Sequence, residues 1–328
     1  MKLTNKFAIG CLIQWYEIEI IGEYLQSLKN SLDTIENKKS VIIDLYFYAG
    51  QKLEKIDKEQ ASLYDIVKRF EAMVDSFGDE YAVNYTLTTD NIFYTISDYR
   101  REFNTKYCTE VDVLMWGESD ALLPDRTFEI LDSLHSGVKE DTPKYVTFFG
   151  GCKMWDKSWE PIEHTKFTDK PFIENDTENW WSLKYTMSID EMNKINEGVE
   201  ELDVRVLKKP KFNGCGLVMS SDVVKSGVNI PQCAFFVHED TGFMIMLQRI
   251  LGGIPQYVVK NILLVHNRKH PKKRLYVEGE KGITPGDVGK GRHSHTWYTN
   301  ANKMSEHNIY NMFTQKKLYT WEDVFDAV

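Results

Sequence analysis

Over its first 140 residues the chain alternates short apolar runs with amphipathic stretches of helical period. "KFAIGCLI" (Lys6–Ile13) reads as a strand. Ile21, Tyr24, Leu25, Leu28 and Leu32 then recur at the spacing of one helix face. "SVIIDLYFYA" (Ser40–Ala49) is a second strand, rich in β-branched and aromatic residues. Leu63, Ile66, Val67, Phe70, Met73, Val74 and Phe77 mark a second amphipathic helix. "YAVNYTLTT" reads as a third strand, and "YTISDYRREFNTKYC" as a helix with Ile96, Phe103 and Tyr107 turned inward. "VDVLMW" is short and almost wholly apolar, as expected of a central parallel strand covered on both faces. "DRTFEILDSLHSG" follows as a helix.

This order predicts an α/β fold: a Rossmann-like, mostly parallel central sheet flanked by helices. The second half is less regular. "KYVTFFG", "LDVRVL", "CGLVMS" and "PQYVVKNILLVH" read as strands, "FFVHED" as a strand running into a helix, and "HEDTGFMIMLQRILGG" as that helix. "YNMFTQKKLYTWEDVFDAV" reads as one or two short helices. No internal repeat and no linker interrupts the pattern. We expect one domain over 1–328: a regular part at about 1–124, a more elaborated part at about 125–267, and a basic loop with short helices at about 268–328.

Composition narrows the class. The chain has 328 residues, 42% of them hydrophobic, enough for a substantial core. A formal charge of −9 argues against a general polyanion binder, though the basic run "NRKHPKKR" can still bind phosphate. Five scattered cysteines without CxxC spacing suggest reduced thiols and a cytoplasmic setting, not a zinc cage. The N-terminal apolar run is broken by Gln14 and Glu17, so it reads as a strand and not a signal peptide. No apolar stretch approaches the ~18 residues of a membrane span.

The candidate chemistry sits at strand ends. Ligands of open α/β sheets bind outside the carboxyl ends of the strands. "GESD" (Gly117–Asp120) follows "VLMW" at such an end, and Glu118 and Asp120 can converge on one hard divalent cation. The plainer reading is a turn in which Asp120 or Asp125 caps the next helix. "FNGCGLVMSSDVV" holds Gly214 and Gly216, either a tight turn or a place where backbone approaches a ligand. In "HED", Asp240 reads either as a helix cap or as a general base. His266 ends the strand "NILLV", where a histidine is structural or a third metal ligand.

Together these motifs resemble the metal-dependent glycosyltransferases of the GT-A fold, especially the large inverting group that uses nucleotide-sugar donors. "AIGCLIQWYEIEIIGEYLQSL" is similar to the family's opening strand, turn and helix, with Ile13 and Tyr16 in place of the usual proline and asparagine. "YRREFNTKYCTEVDVLMWGESDALLP" is similar to its stretch of basic helix, strand, D-x-D and L-x-P, with Glu118 in place of the first aspartate. The N-G-x-G strand and E-D helix start follow in order, and the likeness spans roughly residues 7–267.

The resemblance implies a nucleotide-binding half at about 1–124, an acceptor-binding half at about 125–267, and a roster of roles. Asp120, Glu118 and His266 would hold Mn2+ or Mg2+ against the diphosphate of a nucleoside-diphosphate sugar. Asp240 would take the acceptor proton, with Glu239 in reserve, giving inversion. Gln14, Tyr16, Glu17, Arg101, Ser119, Gly214, Gly216 and Lys269 would line the donor site. Asp44 would meet base or ribose, or serve only the strand. The run from Arg268 to Arg274 would clamp diphosphate or bind a charged acceptor, or form a solvated surface. "GKGRHSH" (Gly289–His295) reads as a lid or as an ordinary loop. Trp155, Trp159, Trp180 and Trp181 read as an acceptor platform or as packing of their own segment. The acceptor expected is a saccharide, with protein and modified nucleic acid as alternatives. Two rival functions stand beside this one. A nucleotidyltransferase would share the metal site, but its Gly-rich loop after the first strand is absent. An inactive GT-A-like binding protein would bind donor without turnover.

Overall fold

A computed structural model of the chain describes residues 1–18, 20–49, 63–90, 92–153, 161–162, 187–208, 214–266 and 296–327. Among the described residues ten strands form one sheet: β1 (Phe7–Gln14), β2 (Val41–Tyr48), β3 (Ala82–Thr88), β4 (Val113–Trp116), β5 (Ala121–Leu122), β6 (Val146–Lys153), β7 (Pro161–Ile162), β8 (Val204–Val206), β9 (Val218–Ser220) and β10 (Gln256–His266). The helices described are α1 (Ile21–Asp33), α2 (Leu63–Asp75), α3 (Ile96–Tyr107), α4 (Thr127–Val138), α5 (Ile189–Asn196), α6 (Ser221–Lys225), α7 (Glu239–Leu251), α8 (Thr296–Asn311) and α9 (Trp321–Asp326).

The sheet order is β3-β2-β1-β4-β9-β6-β10-β5, with β7 on β6 and β8 on β10. Strands β3, β2, β1 and β4 run parallel, and β6 runs parallel to β10. Strand β9 lies between these groups, antiparallel to both β4 and β6. The expected α/β class with a mostly parallel sheet is therefore what the chain adopts.

The continuous apolar strands follow from burial on two faces. In β1, Phe7, Ile9, Cys11 and Ile13 join Tyr24, Leu28, Phe128 and Leu131 in one cluster. Ala8 and Leu12 join Phe103, Trp116 and Phe243 on the other. All four residues of β4 are buried. Strand β3, at the sheet edge, has the polar, half-exposed composition an edge tolerates.

One reading of the sequence changes, and one helix lies outside the reading. Residues 231–237 form no strand, although "FFV" is apolar. Phe235 and Phe236 instead pack with Ala301, Val324 and Trp321 beneath the last two helices. A short helix forms within the stretch from Tyr310, at Trp321–Asp326, and a longer one that the sequence reading did not mark lies upstream, at Thr296–Asn311. Its buried positions are Ala301, Ser305, Asn308 and Ile309, so its inner face has helical spacing but almost no large apolar side chain. The asparagine is used structurally: Asn308 Nδ2 donates to the carbonyls of Cys233 (3.0 Å) and Tyr319 (2.8 Å).

Gly10 sets how closely α3 packs on β1. A Cβ there would lie 2.5 Å from Phe103 Cδ2 and 2.7 Å from the Tyr99 hydroxyl. Gly10→Ala should therefore cost about 1–3 kcal/mol through overpacking. Gly22→Ala, in α1 with nothing within 4 Å, should cost nothing. Urea midpoints of the two variants against the parent chain check this, and equal midpoints would contradict the packing assignment.

Candidate active site

Topology alone brings four segments to one edge of the sheet. Strand β4 ends at Trp116 and releases Gly117–Asp120 there. Strand β10 ends at His266, paired antiparallel with Ala121 of β5, which sets Asp120 beside His266. Because β9 runs opposite to β4, the segment before it, 214–217, arrives at the same edge. It is fastened by Gly216 N donating to Trp116 O (3.1 Å) and Trp116 N donating to Leu217 O (2.9 Å). Strand β1 delivers Gln14, Tyr16 and Glu17 to this edge as well, and Glu17 Oε2 accepts from Gln14 N at 2.8 Å.

Glycines permit the crowding. Gly117 N donates to Gly10 O (2.7 Å), and a Cβ on Gly117 would lie 2.2 Å from the Tyr24 hydroxyl oxygen. Gly216 has φ of +67°, which favours glycine. A Cβ on Gly214 would come within 2.7 Å of Arg100 and 3.5 Å of the Asp240 carboxylate.

Three of the expected residues converge. His266 Nε2 lies 2.9 Å from Glu118 Oε2 and 3.2 Å from Asp120 Oδ1. The Cys215 thiol joins them: one donor atom each from Glu118, Cys215 and His266 lie within 4.8 Å of one another. Asp120, Ser119, Cys215 and His266 are buried, and Glu118 is partly exposed.

Beside this group lies Arg100, 1% exposed. Its Nη2 donates to Glu118 Oε1 at 2.9 Å, and its Nη1 donates to Glu239 Oε1 at 2.5 Å. Its guanidinium carbon sits 4.8 Å from the Trp116 ring centroid, a cation–π contact. Arg100, which the sequence reading did not single out, is the arginine that reaches these carboxylates. Arg101 spends its guanidinium on the carbonyls of Ile230, Pro231 and Ala234 and on Asp98. The signal was present: Arg100 is four residues after Ile96 and three before Phe103, on the inward face of α3.

The remaining expected residues divide. Asp240 opens α7 next to Glu239, with Oδ1 accepting from Thr241 N at 2.6 Å. His238 precedes it in the left-handed region (φ 66°), held by Asn302 at 2.8 Å. Asp120 caps no helix, since α4 begins after Arg126. Asp44 lies in mid-strand opposite Gly10. Its carboxylate accepts from Tyr99 (3.0 Å), Lys106 (2.8 Å) and Tyr107 (2.5 Å), so it ties α3 to β2 and is not brought to the Glu118 group. Lys269, the 268–274 run, Gly289–His295 and the four tryptophans lie outside the described residues.

The charges are strongly perturbed. Burial pushes the Glu118 carboxyl up, but His266 and Arg100 outweigh it and hold the group well below the usual carboxylate range. Burial lowers His266, yet Cys215, Asp120 and Glu118 together raise it well above an ordinary histidine. Burial raises the Cys215 thiol, against His266. Burial also pushes Glu239 up to about 7, opposed by Arg100 and reinforced by Asp240.

No protein-family model matches the chain, and no curated protein matches it. Solved structures similar to it include three of low identity. A mycobacterial protein shares 11% identity over 92% of this chain and 75% of its own, with a TM-score of 0.43. GalNAc-T7 with UDP, GalNAc and Mn2+ shares 10% over 94% of this chain and 50% of its own, at 0.47. Glucosyl-3-phosphoglycerate synthase from Mycobacterium tuberculosis, in complex with Mg2+ and UDP, shares 9% over 84% and 75%, at 0.40.

Two outcomes follow from the charge network. Arg100→Met leaves Glu118 and Glu239 without their shared cation and should cost about 3–5 kcal/mol of stability, whereas Arg101→Met should cost less. Between pH 4.5, the ordinary value, and about 7, folded Glu239 keeps a proton that the unfolded chain has released. Its contribution therefore makes stability fall as pH rises through that window. Glu239→Gln should flatten this part of the pH profile measured by urea midpoints. Parallel profiles would contradict the assignment.

Proposed function

We propose that the chain is a metal-dependent glycosyltransferase that moves a sugar from a nucleoside-diphosphate donor to a hydroxyl acceptor with inversion. The observation that carries this reading is the convergence of Glu118, Asp120 and His266 at the carboxyl edge of the sheet. It accompanies the order of motifs that resembles the GT-A fold. Two carboxylates and an imidazole fit a divalent first-row ion, and Mn2+ accepts such a mixed oxygen–nitrogen set more readily than Mg2+ does. When bound, the ion would supply charge neutralisation on the departing diphosphate.

The chain's own residues account for the rest. Asp120, Glu118 and His266 would hold the ion, and Ser119 and the turn at Gln14, Tyr16 and Glu17 would border the donor at the same edge. Gly214 and Gly216 let the β9 approach pass close to it. Asp240, half-buried at the start of α7, accepts the acceptor hydroxyl proton. The acceptor oxygen then bonds to the anomeric carbon as the sugar–phosphate bond breaks, and the nucleoside diphosphate leaves. Glu239 is engaged by Arg100, which favours Asp240 as the base.

We read the chain as one catalytic domain, since one sheet carries every donor in the cluster. A saccharide is the acceptor class we favour. Among the described residues, no helix is long and apolar enough to cross a membrane.

A thermal-shift panel of nucleoside diphosphates and nucleotide sugars, with and without Mn2+, tests the reading. At least one nucleoside diphosphate should raise the melting temperature only when Mn2+ is present. Asp120→Asn should abolish that metal dependence. Asp240→Asn should keep donor binding and lose transfer by about 10²–10⁴-fold. No metal-dependent stabilisation by any compound would overturn the proposal, and normal transfer by Asp240→Asn would overturn the base assignment.

A further inference from the structure

We infer that Cys215 is a fourth donor of the metal site, so that the site takes a thiophilic divalent ion in preference to Mg2+. The inference rests on reading Glu118, Asp120 and His266 as metal ligands. It adds a sulfur donor that this reading does not require.

A buried cysteine is ordinarily a small apolar side chain. Cys215 is 5% exposed, but its neighbours at the site are ligand atoms. A tetrahedral ion about 2.0–2.3 Å from nitrogen and sulfur donors holds them about 3.3–3.8 Å apart. The donor atoms of Cys215, Glu118 and His266 all lie within 4.8 Å of one another, so side-chain rotations of about an ångström bring them onto one ion. Asp120 Oδ1 lies 3.2 Å from the same imidazole nitrogen, next to this group of three, and offers the remaining oxygen donor.

The backbone fixes the thiol in place. A Cβ at Gly214 would meet Arg100, and one at Gly216 would meet Leu264 Cδ1 at 2.8 Å. The 214–216 turn is thus wedged between Arg100, which binds Glu118, and β10, which carries His266. Gly216 is also hydrogen-bonded to Trp116, two residues before Glu118. Cys215 cannot move far without breaking these contacts. Thiolate favours borderline and soft ions such as Co2+, Zn2+ and Cd2+, whereas Mg2+ prefers oxygen.

Co2+ titration of the full chain, followed by absorbance, gives the test. The parent chain should develop a near-ultraviolet sulfur-to-cobalt charge-transfer band that saturates with the visible cobalt absorption. Cys215→Ser and Cys215→Ala should lose that band while retaining the visible absorption and a Co2+-induced rise in melting temperature. Cys215→Ser should also weaken Cd2+ by at least about tenfold and change Mg2+ by less than about twofold. Saturable Co2+ binding by the parent chain with no sulfur band would overturn the role of Cys215 and leave the metal site standing. A band that survives in both variants would assign the sulfur to another cysteine and overturn it equally. No Co2+ binding at all would overturn both readings together. The parent-chain spectrum decides the matter even if a variant fails to fold.

Discussion

The buried guanidinium of Arg100 is the contact on which the site depends. An arginine 1% exposed is tolerated only if its guanidinium is engaged, and here Glu118 and Glu239, from distant parts of the chain, both accept from it. Glu118 comes from the end of β4 and Glu239 from the start of α7. Trp116 covers the face of the same group, and its own ring nitrogen donates to Asn104 on α3 at 2.9 Å. One cation thus fixes α3, the end of β4 and the start of α7 relative to each other. Removing it would do more than weaken a helix contact, because Glu118 has one oxygen on Arg100 and the other on His266.

That division of Glu118 links structure to chemistry. A carboxylate clamped on one side presents its second oxygen in a fixed direction. His266 is raised and Glu118 lowered because each stabilises the charged form of the other. A divalent cation would replace the imidazolium proton as the positive partner of the same oxygens, so the electrostatic demand is already built into the fold. Asp240 stands apart from this pairing, one residue beyond the glutamate that neutralises Arg100. Adjacent acids at a helix start thereby take different tasks: Glu239 faces the buried arginine, and Asp240 faces the Gly214 turn.

Much of this was legible in the chain before its fold was known. Strands β1, β2 and β4 announced themselves because both of their faces are buried, which forces unbroken apolar runs. Helices α1 and α2 were legible because their buried faces are large and apolar. Helix α8 was not, because its inner face is built from Ala301, Ser305 and Asn308, whose burial is bought with hydrogen bonds and small size. Helix α5 carries a capping box in Ser188 and Glu191 that its sequence displays, but its short apolar face gives little periodicity. At the site, Glu118, Asp120 and His266 were predicted from their strand-end positions, and the fold gathers them. Arg100 was overlooked because a charged residue on an inward face contradicts the usual pattern. Cys215 was overlooked because nothing in a lone cysteine between glycines shows that β9 runs antiparallel and returns it to the end of β4. Pairing direction is a long-range property, and no local spacing encodes it.

The central claim is that Glu118, Asp120 and His266 form one divalent-cation site at the edge where the donor diphosphate binds. It is tested most directly by anomalous scattering from crystals of the full chain grown with Mn2+ and a nucleoside diphosphate. The account predicts a manganese peak within coordination distance of Asp120 and His266, with phosphate oxygens completing the shell. A manganese peak elsewhere on the chain, or a bound nucleotide whose phosphates lie away from these side chains, would contradict it.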